Sequence, residues 1–154
     1  MTKHFGNHFH YPVTYNTKLW LFNDMKTIHQ EVTFNARPEE IFEMLLDSRR
    51  HSEFTGEKAD ISREVGGKIF AYDGYIQGHN TQLLQNRRIV QSWRGSDWPE
   101  GHYSSAKFEM EEVEGGTKLT FTQTEVPDEQ YESISDGWIE HYWDKMKKVI
   151  EKPR

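Results

Sequence analysis

Residues 128–151 read DEQYESISDGWIEHYWDKMKKVIE, and this stretch decides the fold. Tyr131, Ile134, Trp138, Tyr142, Met146 and Val149 recur three or four residues apart, the period of one helix face. Ile139, Trp143 and Ile150 widen the stripe. Acids crowd the start (Asp128, Glu129, Glu132), and Lys145, Lys147, Lys148 and Lys152 gather at the end, as the helix dipole prefers. Pro127 ends whatever precedes it, and Asp128 is placed to cap. The spacing predicts one helix from Asp128 to about Glu151, about 36 Å long at ~1.5 Å per residue.

The segments before that helix read as strands. Turn residues divide them into spans of about 59–64, 68–73, 75–84, 87–94, 102–112 and 117–125. Gly66-Gly67, Asp73-Gly74, Gln85-Asn86 and Gly115-Gly116 supply the tight turns. Ala106, Phe108 and Met110 share one face with Leu119, Phe121 and Gln123, while Ser105, Lys107, Glu109 and Glu111 face water. Upstream, Ile28, Gln30, Val32 and Phe34 alternate with polar residues as a further half-buried strand. Pro38 with Glu39 and Glu40 opens a short helix with Ile41, Phe42, Leu45 and Leu46 on its apolar face. Asp47 and Ser48 can cap a second, which ends near Gly56.

The order is strand, two short helices, six strands, long helix. Sequential strands joined by tight turns imply an antiparallel sheet, and segregated helices imply the α+β class. About seven strands curved round the last helix would leave a groove or cavity between helix and sheet.

Composition supports a single folded domain. The 154 residues leave no room for a second full one. Hydrophobic residues make up 34%, below the roughly 45–50% apolar share of ordinary domains. Aromatic residues make up 14%, however, and disordered chains are poor in rings. A core of large rings is therefore expected. A net charge of −6 argues against a nucleic-acid backbone as partner. No Cys is present, so disulfides and thiol chemistry are excluded. No apolar run reaches membrane length and none resembles a signal peptide, so a cytoplasmic protein is expected. Residues 1–24 lack either period and read as an N-terminal extension, with residues 25–154 forming the domain. His4, His8 and His10 in that extension have a spacing a transition metal could use, yet the segment reads as a tail, and no metal or cofactor is expected.

No nucleophile elbow, phosphate loop or zinc-protease motif occurs. Asp97, Glu100 and His102, around Trp98-Pro99, form the densest polar group and would suit acid–base work only if they faced a pocket. The candidate lining of a helix–sheet cavity is Trp93, Phe108, Phe121, Trp138 and Tyr142, with Gln91, Gln123 and His141 as polar points. Rings in these positions also serve simply as core.

The stretch from Ile89 through Arg94, followed by Ser96-Asp97-Trp98-Pro99-Glu100-Gly101-His102-Tyr103, resembles the C-terminal domain of activators of heat-shock protein 90 (Hsp90) ATPase. Gly66-Gly67-Lys68, Asp73-Gly74, Phe54-Thr55-Gly56 and Val126-Pro127 through Tyr142 extend the resemblance over about residues 26–151. It implies a START-like helix-grip fold, a superfamily whose members commonly hold an apolar ligand under the C-terminal helix. The first expectation is therefore a small apolar molecule bound in the cavity. The alternative is a co-chaperone role toward Hsp90, with Trp98, Glu100 and His102 as the partner-binding loop. A second alternative is a cyclase- or hydrolase-like enzyme using the same cavity.

Overall fold

The computed structural model describes residues 25–152, so the expectations for residues 1–24 and their histidines lie outside the described residues. Strand β1 (Met25–Phe34) leads to helices α1 (Pro38–Leu46) and α2 (Ser48–Thr55). Strands β2 (Asp60–Ile61), β3 (Lys68–Ala71), β4 (Ile76–Leu84), β5 (Arg88–Gly95), β6 (Ser104–Val113) and β7 (Gly116–Pro127) come next. They form one curved antiparallel sheet of seven strands in the order β1-β7-β6-β5-β4-β3-β2. The α+β architecture read from the sequence is the one observed.

Local chemistry explains the elements. Pro38 starts α1 with its ring-fixed φ, and Arg37 ahead of it makes no side-chain cap. The Asp47 carboxylate accepts the Arg50 N–H at 3.0 Å and so caps α2. Gly56, at φ 78°, closes α2 in the left-handed region that glycine occupies without strain. The alternation in β6 and β7 carries through: Ala106, Phe108, Met110, Leu119, Phe121 and Gln123 are buried, and the residues between them are not.

Three expectations change. The strand foreseen at 59–64 is only Asp60–Ile61, because the buried side chain of Asn80 captures the backbone after Ile61. Its Nδ2 donates to the Ser62 and Glu64 carbonyls at 2.7 and 3.1 Å, holding residues 62–67 as a loop on β4. Asp128 does not cap the last helix. Its carboxylate pairs with Lys26 at 3.0 Å, and a 3-10 turn (Asp128–Gln130) makes the entry.

The third change is in the helix itself. It runs as α3 (Tyr131–Gly137), a π-helical turn (Trp138–Trp143) and α4 (Asp144–Glu151). The Asp144 N–H bonds to the Ile139 carbonyl five residues back, one residue more than an α-turn allows. That extra residue brings His141, Tyr142 and Trp143 to the sheet side in succession, all buried with Trp138. Ile139 (43% exposed) and Val149 (47%) fall on the outer side instead. Trp138 then lies at the centre of a ring cluster, 4.5 Å from Phe121, 5.6 Å from Phe108 and 5.7 Å from Trp93 between centroids. The aromatic excess is thus the core between helix and sheet.

Candidate functional site

The space between the last helix and the sheet is nearly filled. Among the described residues, a cavity of about 10 Å³ lies there, lined by Leu45, Ile69, Ala71, Trp93, Phe108 and Trp138 with His51, Gln91 and Tyr142 as its polar points. That is room for one water molecule at most. Of the lining foreseen from sequence, Gln91, Trp93, Phe108, Trp138 and Tyr142 border this cavity; Phe121, Gln123 and His141 are buried elsewhere in the core.

Each buried polar side chain there has a partner. Gln123 accepts the Trp138 indole N–H at 2.8 Å through Oε1 and donates through Nε2 to Ser104 Oγ at 2.9 Å. Gln91 donates to Asn80 Oδ1 at 3.2 Å. His51 Nδ1 faces the Leu45 carbonyl at 3.0 Å, so that nitrogen carries the hydrogen. Its Nε2 is then left to accept the Tyr142 hydroxyl proton, at 2.7 Å. Burial pushes His51 down to about 4, and the ring is neutral in this arrangement. On the other flank, Tyr72 Oη and His141 Nδ1 are 2.9 Å apart. Burial, with the nearby Glu57 charge, pushes the Tyr72 phenol up to about 12, and burial raises Tyr142 further. Two tyrosine–histidine pairs, one from α2 and one from the Tyr72 turn, therefore hold the π turn.

Tyr72 and Asp73 carry positive φ (51° and 56°) ahead of Gly74, two consecutive non-glycine residues in the left-handed region. Sequence reasoning passed over Tyr72, His51 and Asn80. A tyrosine beside Asp-Gly reads as turn decoration, and His51 sits in a helix whose other residues are mostly polar.

The loop from Ser96 to Tyr103 has an inner and an outer side. Trp98, expected as a contact residue, is only 4% exposed and packs 5.4 Å from Trp93. Beneath it Tyr75 is tucked close to Asp97, and burial together with the Asp97 charge raises the Tyr75 phenol. His102 stacks edge-on against Trp98, and its Nε2–H donates to the Glu125 carbonyl at 2.8 Å. It does not line the cavity under the helix, and neither do Asp97 and Glu100. The outer side consists of Pro99, Glu100, Gly101 and Tyr103, the last 44% exposed beneath the Arg94 guanidinium. No group of three or more metal-ligating side chains occurs among the described residues.

A helix on one face of a seven-stranded antiparallel sheet, with a Trp-Pro-Glu-Gly-His loop folded on its end, matches known proteins. The family model described as activator of Hsp90 ATPase homolog 1-like protein covers residues 35–151. The chain belongs to that family. The human activator of 90 kDa heat shock protein ATPase homolog 1 is 29% identical over 77% of this chain and 35% of its own length. A Dictyostelium discoideum homolog is 29% identical over 79% of this chain and 32% of its own. The chain thus spans about a third of the length of the curated relatives it matches. Among solved structures, an HSP90 activator from Plasmodium falciparum superposes with a TM-score of 0.74 at 26% identity, covering 85% of this chain and 99% of that one. An Aha1 from Colwellia psychrerythraea shares the fold, with a TM-score of 0.71 at 21% identity over 82% and 96% of the two chains. In this activator family member the helix-grip fold is present and its grip is closed on rings.

Proposed function

We propose that this chain is a co-chaperone-type partner of Hsp90 that works through its surface. The reading is carried by the activator family match across residues 35–151, nearly the whole described domain. A filled interior supports it, since 10 Å³ under the helix leaves the outside as the place to engage a partner. The outer side of the 96–103 loop suits a contact: Pro99, Glu100, Gly101 and Tyr103 are exposed, while Trp98 and His102 beneath them fix the loop. Exposed aromatic residues on a rigid support are favourable anchors in protein interfaces.

Calorimetric titration of the chain into purified Hsp90, with ATP turnover followed in parallel, tests this. Saturable binding is expected, weakened at least tenfold by Tyr103→Ala combined with Glu100→Lys at unchanged melting temperature. Trp98→Ala is unsuitable for this purpose because it empties a core position. No binding at all would overturn the reading.

One observation favours a second reading, that a small apolar molecule enters under the helix. His51, Gln91 and Tyr142 converge on an otherwise apolar lining, the usual composition of a ligand pocket. The helix must then move to admit it. Native mass spectrometry of the purified chain is expected to show a co-purified guest; only the bare mass after a lipid and metabolite panel would count against this reading.

A further inference from the structure

The π turn is held from four directions by side-chain hydrogen bonds. Gln123 on β7 holds Trp138, the Tyr72 turn meets His141, His51 on α2 takes the Tyr142 proton, and Gln30 on β1 holds Trp143. Gln30 does more than the other three, because it spans the turn. Its Nε2 donates to the Ser135 carbonyl and hydroxyl, both at 3.0 Å, in α3. Its Oε1 accepts the Trp143 indole N–H at 2.7 Å, where the π turn ends. One amide therefore fixes the angular relation of the helix on either side of the extra residue.

That relation is the one an ordinary α-helix cannot keep. If the π turn tightened to α with α3 seated, everything from Asp144 onward would rotate by about 100°. Trp143 would leave Gln30, and Met146, now fully buried, would turn toward solvent. The space beside His51, Tyr142 and Trp93 would open. The Tyr72 side of the turn is also poised, since its bond to His141 joins a left-handed backbone segment to a π-helical one. Irregular backbone at both ends of one hydrogen bond persists only while the surroundings dictate it.

We infer that the C-terminal helix has two registers and that Gln30 is the latch: the π register closes the interior, and the α register opens it to an apolar guest. This rests on the second reading above for its biological use, but not for its test. Gln30→Leu removes both halves of the latch while keeping a side chain of similar size. Two measurements on the labelled full chain read the register: the Trp143 indole N–H signal, assigned with Trp143→Phe, and fluorescence of 1-anilinonaphthalene-8-sulfonate. In Gln30→Leu, well below its melting temperature and with helical circular dichroism retained, the indole signal is expected to shift. Its hydrogen exchange should quicken at least tenfold, and the dye should bind.

Deleting exposed Ile139 in the same background supplies the control. Without the extra residue the helix has only one register, so dye uptake should disappear. A folded Gln30→Leu chain with an unmoved, slowly exchanging Trp143 signal would overturn the inference. So would dye uptake that survives the deletion. If the double variant does not fold, the Trp143 signal of Gln30→Leu alone decides. An open register in Gln30→Leu with no natural guest in the wild-type chain would leave the latch standing and end only the ligand reading.

Discussion

At the scale of residues, several of the polar side chains in the interior serve a ring. Gln30, Gln91 and Gln123 occupy inward positions of their strands, where apolar residues are the rule. Two of them are spent on the indole N–H groups of Trp143 and Trp138. An indole buried without an acceptor costs about 1–3 kcal/mol, so a ring-rich core needs such partners. This much is a sequence signal: glutamines on the apolar face of a strand, in a chain rich in Trp. His51 gives a sharper consequence. It is neutral in the fold, with its pKa lowered to about 4 by burial, against ~6.5 when unfolded. The unfolded chain takes the proton first as pH falls, so stability is complete above pH ~6.5 and is lost between there and about pH 4. The loss attributable to this one ring is up to about 3 kcal/mol. Melting temperatures measured from pH 7.5 to 4.5 are expected to fall, and the slope should flatten in His51→Gln. An unchanged slope in that variant would remove His51 as the cause.

At the scale of elements, strands and turns were legible because their signals are local. Alternation in β6 and β7, Gly56 after α2 and the Asp47 cap are each decided by a few neighbouring residues. Two features were not local. The loop at 62–67 depends on Asn80, more than a dozen residues away. The π turn was hidden by the assumption of a single period. Ile134, Trp138, Tyr142, Met146 and Ile150 are spaced by four throughout, and an ideal α-helix drifts by about 40° at each such step. One π turn takes up part of that drift, so the uniform spacing of four was the readable trace. The sheet carries a separate prediction. Gly78 on β4 faces Trp93 on β5 so closely that an added Cβ would overlap the Ser92 carbonyl oxygen. Gly78→Ala is expected to destabilise the chain by about 1–3 kcal/mol in denaturant unfolding, as other overpacked sites do. A variant as stable as the parent would show that β4 and β5 can separate without cost.

At the scale of the whole molecule, the grip is occupied by the protein's own rings, and the activity proposed for this member of the Hsp90-activator family lies on its surface. The fold class followed from element order. The site did not, because whether a pocket is open depends on how rings interdigitate, and Trp93, Phe108 and Trp138 read the same as lining or as filling. For Trp98 the motif pointed to a place on the molecule and the packing reversed which side of it faces out. A surface role toward the chaperone is tested by calorimetric titration of the chain into Hsp90 at physiological salt. Saturable binding that Tyr103→Ala with Glu100→Lys weakens at least tenfold is the predicted result; no saturable binding by the folded wild-type chain would contradict it.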